Sequence, residues 1–139
     1  MQYWNPQWKL ERAGFGGAGG GLGGLRGITQ LDGDVLGTYP RDEVRGTLLR
    51  RKLRVGNNAS LKFQAAADPG RAWRLNAYAG NEQLLDKVIE GGPRERQWQD
   101  ISVDLSRFTG QDVELRLYQL VLVPNRTPGT AYWRALRVE

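Results

Sequence analysis

Apolar and polar residues alternate in short stretches along most of the chain. Leu61, Phe63 and Ala65, for example, alternate with Lys62 and Gln64. Because successive side chains of a β-strand point to opposite faces, this alternation predicts strands with one buried face. Nine such strands are predicted, within Trp8–Arg12, Val35–Tyr39, Arg45–Val55, Leu61–Ala65, Trp73–Ala79, Gln83–Glu90, Trp98–Leu105, Val113–Tyr118 and Ala131–Val138.

Turn residues separate the predicted strands. Asp68-Pro69-Gly70 is a strong turn signal, and Gly80-Asn81 is a two-residue connection typical of a β-hairpin. Leu105–Gly110 predicts a compact turn, which one turn of helix would satisfy. The adjacent leucines Leu48 and Leu49 interrupt the alternation and predict a bulge in their strand.

These elements predict an all-β fold, a two-sheet antiparallel β-sandwich of jelly-roll type. The 139 residues fit a single module, 1–139. Its predicted core consists of the inward-facing residues of the strands, which include Leu53, Leu61, Phe63, Leu75, Ile101, Val103, Val113, Leu115, Leu117 and Val138.

A glycine-rich tract lies between the first two predicted strands. Nine glycines occur between Gly14 and Gly27. Such a segment buries too little apolar surface to offset its chain entropy, so we expect a flexible loop that tolerates shortening. Gly14–Gly19 formally matches G-x-G-x-x-G. It follows no buried parallel strand and opens no helix, so no dinucleotide site is predicted.

Composition argues against catalysis. The sequence has no cysteine and no histidine, which excludes disulfides, thiolate metal sites and the commonest general base. Paired carboxylates could still hydrolyse a glycoside. Asp100 and Asp104 share one face of a predicted strand, but strand geometry separates them by about 13 Å, too far for such a pair. Asp104 is better placed to cap the turn at Ser106. We therefore predict that the chain is not an enzyme.

The order of the strands predicts where the loops lie. If successive strands are antiparallel, the loops that follow even-numbered strands share one end of the sandwich, and the glycine tract lies at the other. The loops at the shared end carry charged residues, with aromatic residues at the adjoining strand ends. Rings that stack on sugar C–H faces, combined with side chains that bond hydroxyls, suit a saccharide. The predicted binding residues are Tyr39, Arg41, Asp42, Arg71, Trp73, Trp98 and Arg126.

Two segments resemble a known superfamily. Trp98–Gly110 (WQDISVDLSRFTG) and the terminal AYWRALRVE resemble the strand-and-turn and closing strand of galactose-binding-like jelly-roll domains. Thr38–Asp42 (TYPRD) is similar to an element of accessory domains in bacterial polysaccharide-degrading and surface proteins, with Tyr39 in the place of a histidine. The resemblance covers about Leu31–Glu139.

The resemblance implies a carbohydrate-binding accessory module of a secreted or surface protein. The expected location is therefore extracellular or at the cell surface, in a bacterium. It also implies a structural Ca²⁺ near the chain ends, for which Asp32, Asp34 and Glu139 are the candidate ligands, and no other cofactor. No secretory signal is predicted in the first residues, and no apolar run is long enough to span a membrane.

Three functions remain open. The first is a carbohydrate-binding module, whose partners are a polysaccharide or glycan and a catalytic or surface domain of the same parent chain. The second is a structural or protein-interaction β-sandwich. The third is an anion or nucleic-acid binder, or an unrecognised enzyme; the net charge of +5 permits an anionic partner, but acidic residues in the same loops weaken the case for nucleic acid. The first two differ in whether the predicted end presents solvent-facing rings or is closed and packed.

Overall fold

A computed structural model describes residues 7–12, 29–32, 35–38, 47–120 and 130–139. Within these residues the fold is all-β, as predicted, with one 3₁₀ turn at Ser106–Phe108. No helix in these ranges has the length and apolar character needed to cross a membrane. The strands are β1 (Lys9–Arg12), β2 (Thr29–Asp32), β3 (Val35–Thr38), β4 (Thr47–Arg54), β5 (Ser60–Ala67), β6 (Ala72–Ala79), β7 (Glu82–Glu90), β8 (Gln99–Asp104), β9 (Asp112–Leu120) and β10 (Ala131–Val138).

The strands form two antiparallel five-stranded sheets that pack face to face. Sheet 1 has the order β1-β4-β9-β6-β7, and sheet 2 has the order β2-β3-β10-β5-β8. Their inner faces form the core because each strand alternates apolar residues with polar ones. The predicted core is confirmed: seven of its residues are buried, and Leu53, Val113 and Val138 pack against them partly buried.

Aromatic rings fill the space between the sheets. The Trp133 ring centroid lies 5.1 Å from that of Trp73 and 5.8 Å from that of Phe63. All three side chains are almost completely buried. Each indole N–H in this pair of tryptophans is satisfied: Trp73 Nε1 donates to the Ala66 carbonyl at 3.0 Å, and Trp133 Nε1 donates to Thr38 Oγ1 at 3.0 Å.

A buried polar contact joins the two sheets. Thr38 of sheet 2 donates its hydroxyl to Gln119 Oε1 of sheet 1 at 2.7 Å. Both residues are fully buried. Since a polar group in the core is stable only when it is hydrogen-bonded, this contact favours one alignment of the sheets.

The predicted turns are confirmed. Gly70 and Gly80 have φ values of 70° and 60°, in the left-handed region that glycine adopts without strain. Asp104 caps the following turn, since its Oδ1 accepts the Ser106 N–H at 2.9 Å. The bulge expected near Leu48 is absent, because β4 pairs with β9 residue by residue throughout Thr47–Arg54.

The short strand β2 changes the predicted arrangement. Thr29 of β2 pairs with Thr38, and Arg12 of β1 pairs with Thr47. Ala131 of β10 also pairs with Thr38, so these residues mark one end of the sandwich, here called the Thr38 end. The residues that flank 13–28 therefore both lie at the Thr38 end. The prediction that the glycine tract joins strands at the opposite end is wrong, because the additional strand reverses the chain once more. Gly14–Gly27 itself lies outside the described residues.

Candidate functional site

The strands that border the predicted binding loops end together. Ala131 pairs with both Thr38 and Ala67, and Ala72 pairs with Glu90. Their common location is the Thr38 end. Of the predicted binding residues, Arg71, Trp73 and Trp98 are described, and Tyr39, Arg41, Asp42 and Arg126 lie outside the described residues.

Trp73 belongs to the core. Its side chain is 1% exposed, packs on Trp133 and donates to the Ala66 carbonyl. The ring therefore points between the sheets, where a saccharide has no access, and its predicted contact with sugar is corrected. The reason is parity along β6: Trp73 shares the inward side with Leu75 and Ala77.

Arg71 and Trp98 lie at the surface of the Thr38 end. Arg71 is exposed in the turn after β5. Trp98 is half-buried, with the Arg134 guanidinium 3.9 Å from its ring centroid and the Arg96 guanidinium 5.7 Å away. Arg96 also lies 4.4 Å from the ring of Tyr132. Cations of the chain itself thus cover this aromatic surface.

Hydrogen bonds close the same cluster. Tyr132 donates its hydroxyl to Asp68 Oδ1 at 2.5 Å, and Asp68 Oδ2 accepts the Thr130 N–H at 2.9 Å. Burial, followed by the bond to Asp68, raises the pKa of Tyr132. At this part of the Thr38 end, the polar groups of Asp68, Thr130 and Tyr132 therefore bond one another.

The outer face of sheet 1 has a different character. Along β6, Arg74, Asn76 and Tyr78 alternate with the buried Leu75 and Ala77, so they point away from the core. Tyr118 of β9 is directly opposite Asn76. We call this surface the tyrosine face; its outward-pointing residues include Lys9, Leu48, Arg50, Arg74, Asn76, Tyr78, Gln83, Asp86, Arg116 and Tyr118.

Two tyrosines form its centre. The rings of Tyr78 and Tyr118 stand edge to face, with centroids 5.7 Å apart, and both are half-buried. The Arg116 guanidinium lies 5.4 Å from the first ring and 5.8 Å from the second. Its Nη1 donates to the Tyr118 hydroxyl at 3.0 Å, and its Nη2 donates to the Gly80 carbonyl. Arg116 therefore lies against both rings and anchors that of Tyr118 through a hydrogen bond.

Amide groups lie beside the rings. Gln83 Nε2 donates to Asn76 Oδ1 at 2.6 Å, and Asn76 is only 5% exposed although it points outward. With this bond formed, the Asn76 amide N–H groups can donate a hydrogen bond to a further partner, and Gln83 Oε1 can accept one. The arrangement can pack against an apolar ring surface and bond its polar substituents.

An ion pair borders this group. Arg74 holds Asp86 through two hydrogen bonds, of 2.8 and 2.5 Å. The hydrogen bond from Arg74 lowers the pKa of Asp86, and the same bond raises the pKa of Arg74. The carboxylate therefore stays ionised and fixed, which does not suit it to proton transfer near neutral pH.

Tyr78, Tyr118 and Asn76 are not among the predicted binding residues, because those were expected in loops and at strand ends. The alternation did contain a signal for them. Each of these residues is at a position of its strand that alternates with buried residues, so its side chain points outward and a tyrosine there is exposed unless another element covers it. Their proximity was not visible, because β6 and β9 are far apart in sequence and meet only in the sheet.

Of the three candidate calcium ligands, the structure describes only the side chain of Glu139. Glu139 binds Lys62 Nζ at 3.1 Å and Arg137 Nε at 3.3 Å, and these hydrogen bonds lower its pKa. Its charge is already matched by two cations. Asp34 and the side chain of Asp32 lie outside the described residues, and the described part of the chain contains no cluster of acidic residues that could hold a metal.

Comparison of the sequence with known proteins gives a distant archaeal relative. No family model matches the chain. An uncharacterised protein of Archaeoglobus fulgidus is 27% identical over 134 residues, which cover 83% of this chain and 34% of that protein. The chain thus spans about a third of the length of this relative.

Several solved structures are similar in fold, and two of them are described here. TmCBM61, solved in complex with β-1,4-galactotriose, superposes with a TM-score of 0.58 at 8% identity, covering 98% of this chain and 89% of that one. The N-terminal cellulose-binding domain of Cellulomonas fimi β-1,4-glucanase C gives a TM-score of 0.56 at 10% identity, covering 97% and 89%. The chain therefore has the β-sandwich fold of these carbohydrate-binding modules.

Proposed function

We propose that this chain is a non-catalytic carbohydrate-binding module and that its glycan lies across the tyrosine face. The observation that carries the proposal is the edge-to-face pair Tyr78 and Tyr118 on the outside of a sheet, with Arg116 beside both rings. Aromatic rings pack on the C–H faces of sugars, and side chains on strands hold their positions better than side chains on loops.

The neighbouring polar groups suit a saccharide. Asn76 and Gln83 supply amide donors and acceptors for hydroxyl groups next to the rings. We expect weak binding, about 10 µM to 1 mM, because an open sheet face buries little area and each bond to a hydroxyl replaces a bond to water.

The rest of the proposal concerns the parent protein. The match to one third of a longer archaeal relative supports a module that acts beside other domains. The partners would be a polysaccharide or glycan and a catalytic or surface domain of the same chain, in an extracellular or cell-surface location. The absence of histidine and cysteine from the sequence supports a role without catalysis.

The alternative is a structural or protein-interaction β-sandwich. It is favoured by the closed cluster of Arg96, Trp98 and Tyr132, where the chain covers its own rings. The two functions differ in whether the tyrosine face binds glycans when the chain is isolated.

Affinity electrophoresis in gels that contain neutral and acidic polysaccharides tests the proposal. We expect at least one polysaccharide to retard the wild type, and Tyr78→Ala or Tyr118→Ala to weaken this binding about tenfold, equivalent to ~1.4 kcal/mol. Tyr132→Ala is the matched control, since Tyr132 is a half-buried tyrosine on the outer face of sheet 2. Melting temperatures of all variants verify that they are folded.

Two results would overturn the proposal. If no polysaccharide retards the wild type, the structural alternative is favoured. If Arg71→Ala abolishes binding while both tyrosine variants bind normally, the site lies at the Thr38 end, as the sequence predicted, and not on the tyrosine face.

A further inference from the structure

The ion pair of Arg74 and Asp86 lies on the tyrosine face at a distance from the two rings. Arg74 is four residues before Tyr78 on β6, which is about 13 Å along the strand. Asp86 is two strands from Tyr118, roughly 10 Å away, because Asn76 of β6 lies between them. Both separations exceed the width of one sugar ring.

This ion pair keeps unused hydrogen-bonding capacity. Arg74 Nε and Nη2 donate to the two carboxylate oxygens of Asp86 at 2.8 and 2.5 Å. These bonds use two of the five N–H groups of the guanidinium and two of the roughly four acceptor positions of the carboxylate. The two side chains are 47% and 41% exposed, so a ligand can reach the remaining donors and acceptors.

Donors and acceptors placed side by side suit adjacent hydroxyl groups. Each sugar hydroxyl can both donate and accept a hydrogen bond. Two hydroxyls on neighbouring ring carbons can therefore donate to the Asp86 carboxylate and accept from the Arg74 guanidinium at the same time. An acid group in this place would be repelled by Asp86, since the charge of Arg74 is already matched. The pair therefore favours an uncharged sugar.

Uncharged residues are the direct neighbours of the pair in the sheet. Arg74 lies between Leu120 of β9 and Val88 of β7, and Asp86 is directly opposite Asn76. Val88 is 42% exposed, so apolar surface for the C–H groups of a sugar lies beside the polar groups.

Charged residues farther away do not reverse this preference. Glu90 is exposed and directly opposite Ala72, one row beyond Arg74, where its negative charge disfavours an acidic ligand further. Lys87 is directly opposite the buried Leu75, on the inner side of the sheet. Other charged residues of sheet 1 lie beside the tyrosines or on β1 and β4, at least two strands from β6; these are Arg116, Lys9, Glu11 and Arg50.

Resting on the proposed function, we infer that the ion pair of Arg74 and Asp86 is a second subsite of the tyrosine face, which binds adjacent hydroxyls of an uncharged sugar unit. The unit that packs on Tyr78 and Tyr118 is a different unit of the same glycan, because one ring does not span the distance between the two groups. The ligand is therefore a neutral polysaccharide chain.

Two substitutions test this subsite in opposite directions. Asp86→Ala removes the acceptor and leaves Arg74 without its counter-charge. Binding to a neutral polysaccharide should then weaken about tenfold, while binding to an acidic counterpart becomes stronger. Arg74→Ala leaves the Asp86 charge unmatched, so binding should weaken for both ligands, and more for the acidic one.

Affinity electrophoresis at low salt measures these effects with pairs of polysaccharides that differ in charge. Methyl-esterified polygalacturonate is compared with polygalacturonate, dextran with dextran sulfate, and hydroxyethylcellulose with carboxymethylcellulose. We expect the wild type to be retarded more by the neutral member of at least one pair.

A second ion pair of the same sheet provides the matched control. Arg54 and Asp112 are directly opposite each other on β4 and β9, with 3.9 Å between the charged groups, and Asp112 is six residues from Tyr118 along β9. Arg54→Ala and Asp112→Ala change the net charge of the chain equally, and their binding should remain near that of the wild type. Exposed ion pairs contribute little to stability, so the melting temperatures of all four variants should stay close to that of the wild type.

The outcomes distinguish the inference from the proposed function. Stronger binding of the wild type to the acidic member of every pair overturns the inference. Binding of Asp86→Ala and Arg74→Ala to the neutral polysaccharide that equals binding of the control variants overturns it as well. In both cases Tyr78→Ala still weakens glycan binding if the proposed function holds. No binding of the wild type to any polysaccharide overturns both.

Discussion

Replacing Thr38 with valine removes a hydroxyl that joins the two sheets inside the core. In the wild type this hydroxyl accepts from Trp133 Nε1 at 3.0 Å and donates to Gln119 Oε1 at 2.7 Å. Valine has nearly the same shape and suits a strand, so the substitution tests the hydrogen bonds with little change in packing or in strand propensity.

The expected loss of stability follows from the burial of both hydrogen-bond partners of the Thr38 hydroxyl. Trp133 and Gln119 are 0% exposed, so water cannot replace the missing hydroxyl. A buried donor left without its acceptor costs about 1–3 kcal/mol, and a lost hydrogen bond costs about 0.5–1.5 kcal/mol. Thr38→Val should therefore lower the free energy of unfolding by about 1.5–4.5 kcal/mol, a large part of the ~5–15 kcal/mol typical of a domain.

Urea unfolding measures this loss, with Thr38→Ser as the control that keeps the hydroxyl. A double-mutant cycle with Trp133→Phe isolates the contribution of the indole N–H. If the reasoning is correct, Trp133→Phe destabilises the Thr38→Val variant less than it destabilises the wild type. A loss below 1 kcal/mol in Thr38→Val, or additive effects in the cycle, would refute it.

Two further predictions concern the turns. Gly91→Ala should lower the free energy of unfolding by about 3 kcal/mol or more, because an added Cβ would lie 2.0 Å from the backbone oxygen of Asp68. Gly56→Ala is the control: no atom lies within 4 Å of its added Cβ, so this substitution should change the free energy of unfolding little. Chemical denaturation compares the pair, and equal stabilities would contradict the close approach. The backbone hydrogen bond from Ser106 lowers the pKa of Asp104, so this carboxylate stabilises the fold above pH ~4, and its contribution is lost as pH falls through the lowered pKa. The difference in unfolding free energy between wild type and Asp104→Asn should thus shrink from pH 7 to acid, and a difference independent of pH would refute this origin.

Local patterns in the sequence determined the fold class and many of its elements. Alternation at Leu61, Phe63 and Ala65 marks the inner side of β5, because the pleat places every second residue on the same face. Asp68-Pro69-Gly70 and Gly80-Asn81 marked their turns through backbone preferences of a few residues. These features depend on nearest neighbours along the chain, so the sequence alone was sufficient for them.

Tertiary structure decided which residues come together at the proposed site. The four residues of β2 carry too weak a pattern to predict a strand, yet their pairing with β3 reverses the chain and moves both flanks of the glycine tract to the Thr38 end. Alternation shows which residues of one strand share a face, but it does not show which strands are neighbours in a sheet. Tyr78 meets Tyr118, and Arg50 meets Arg116, only because β9 pairs with both β6 and β4. Pairing of this kind depends on packing between distant segments, which a local pattern does not record.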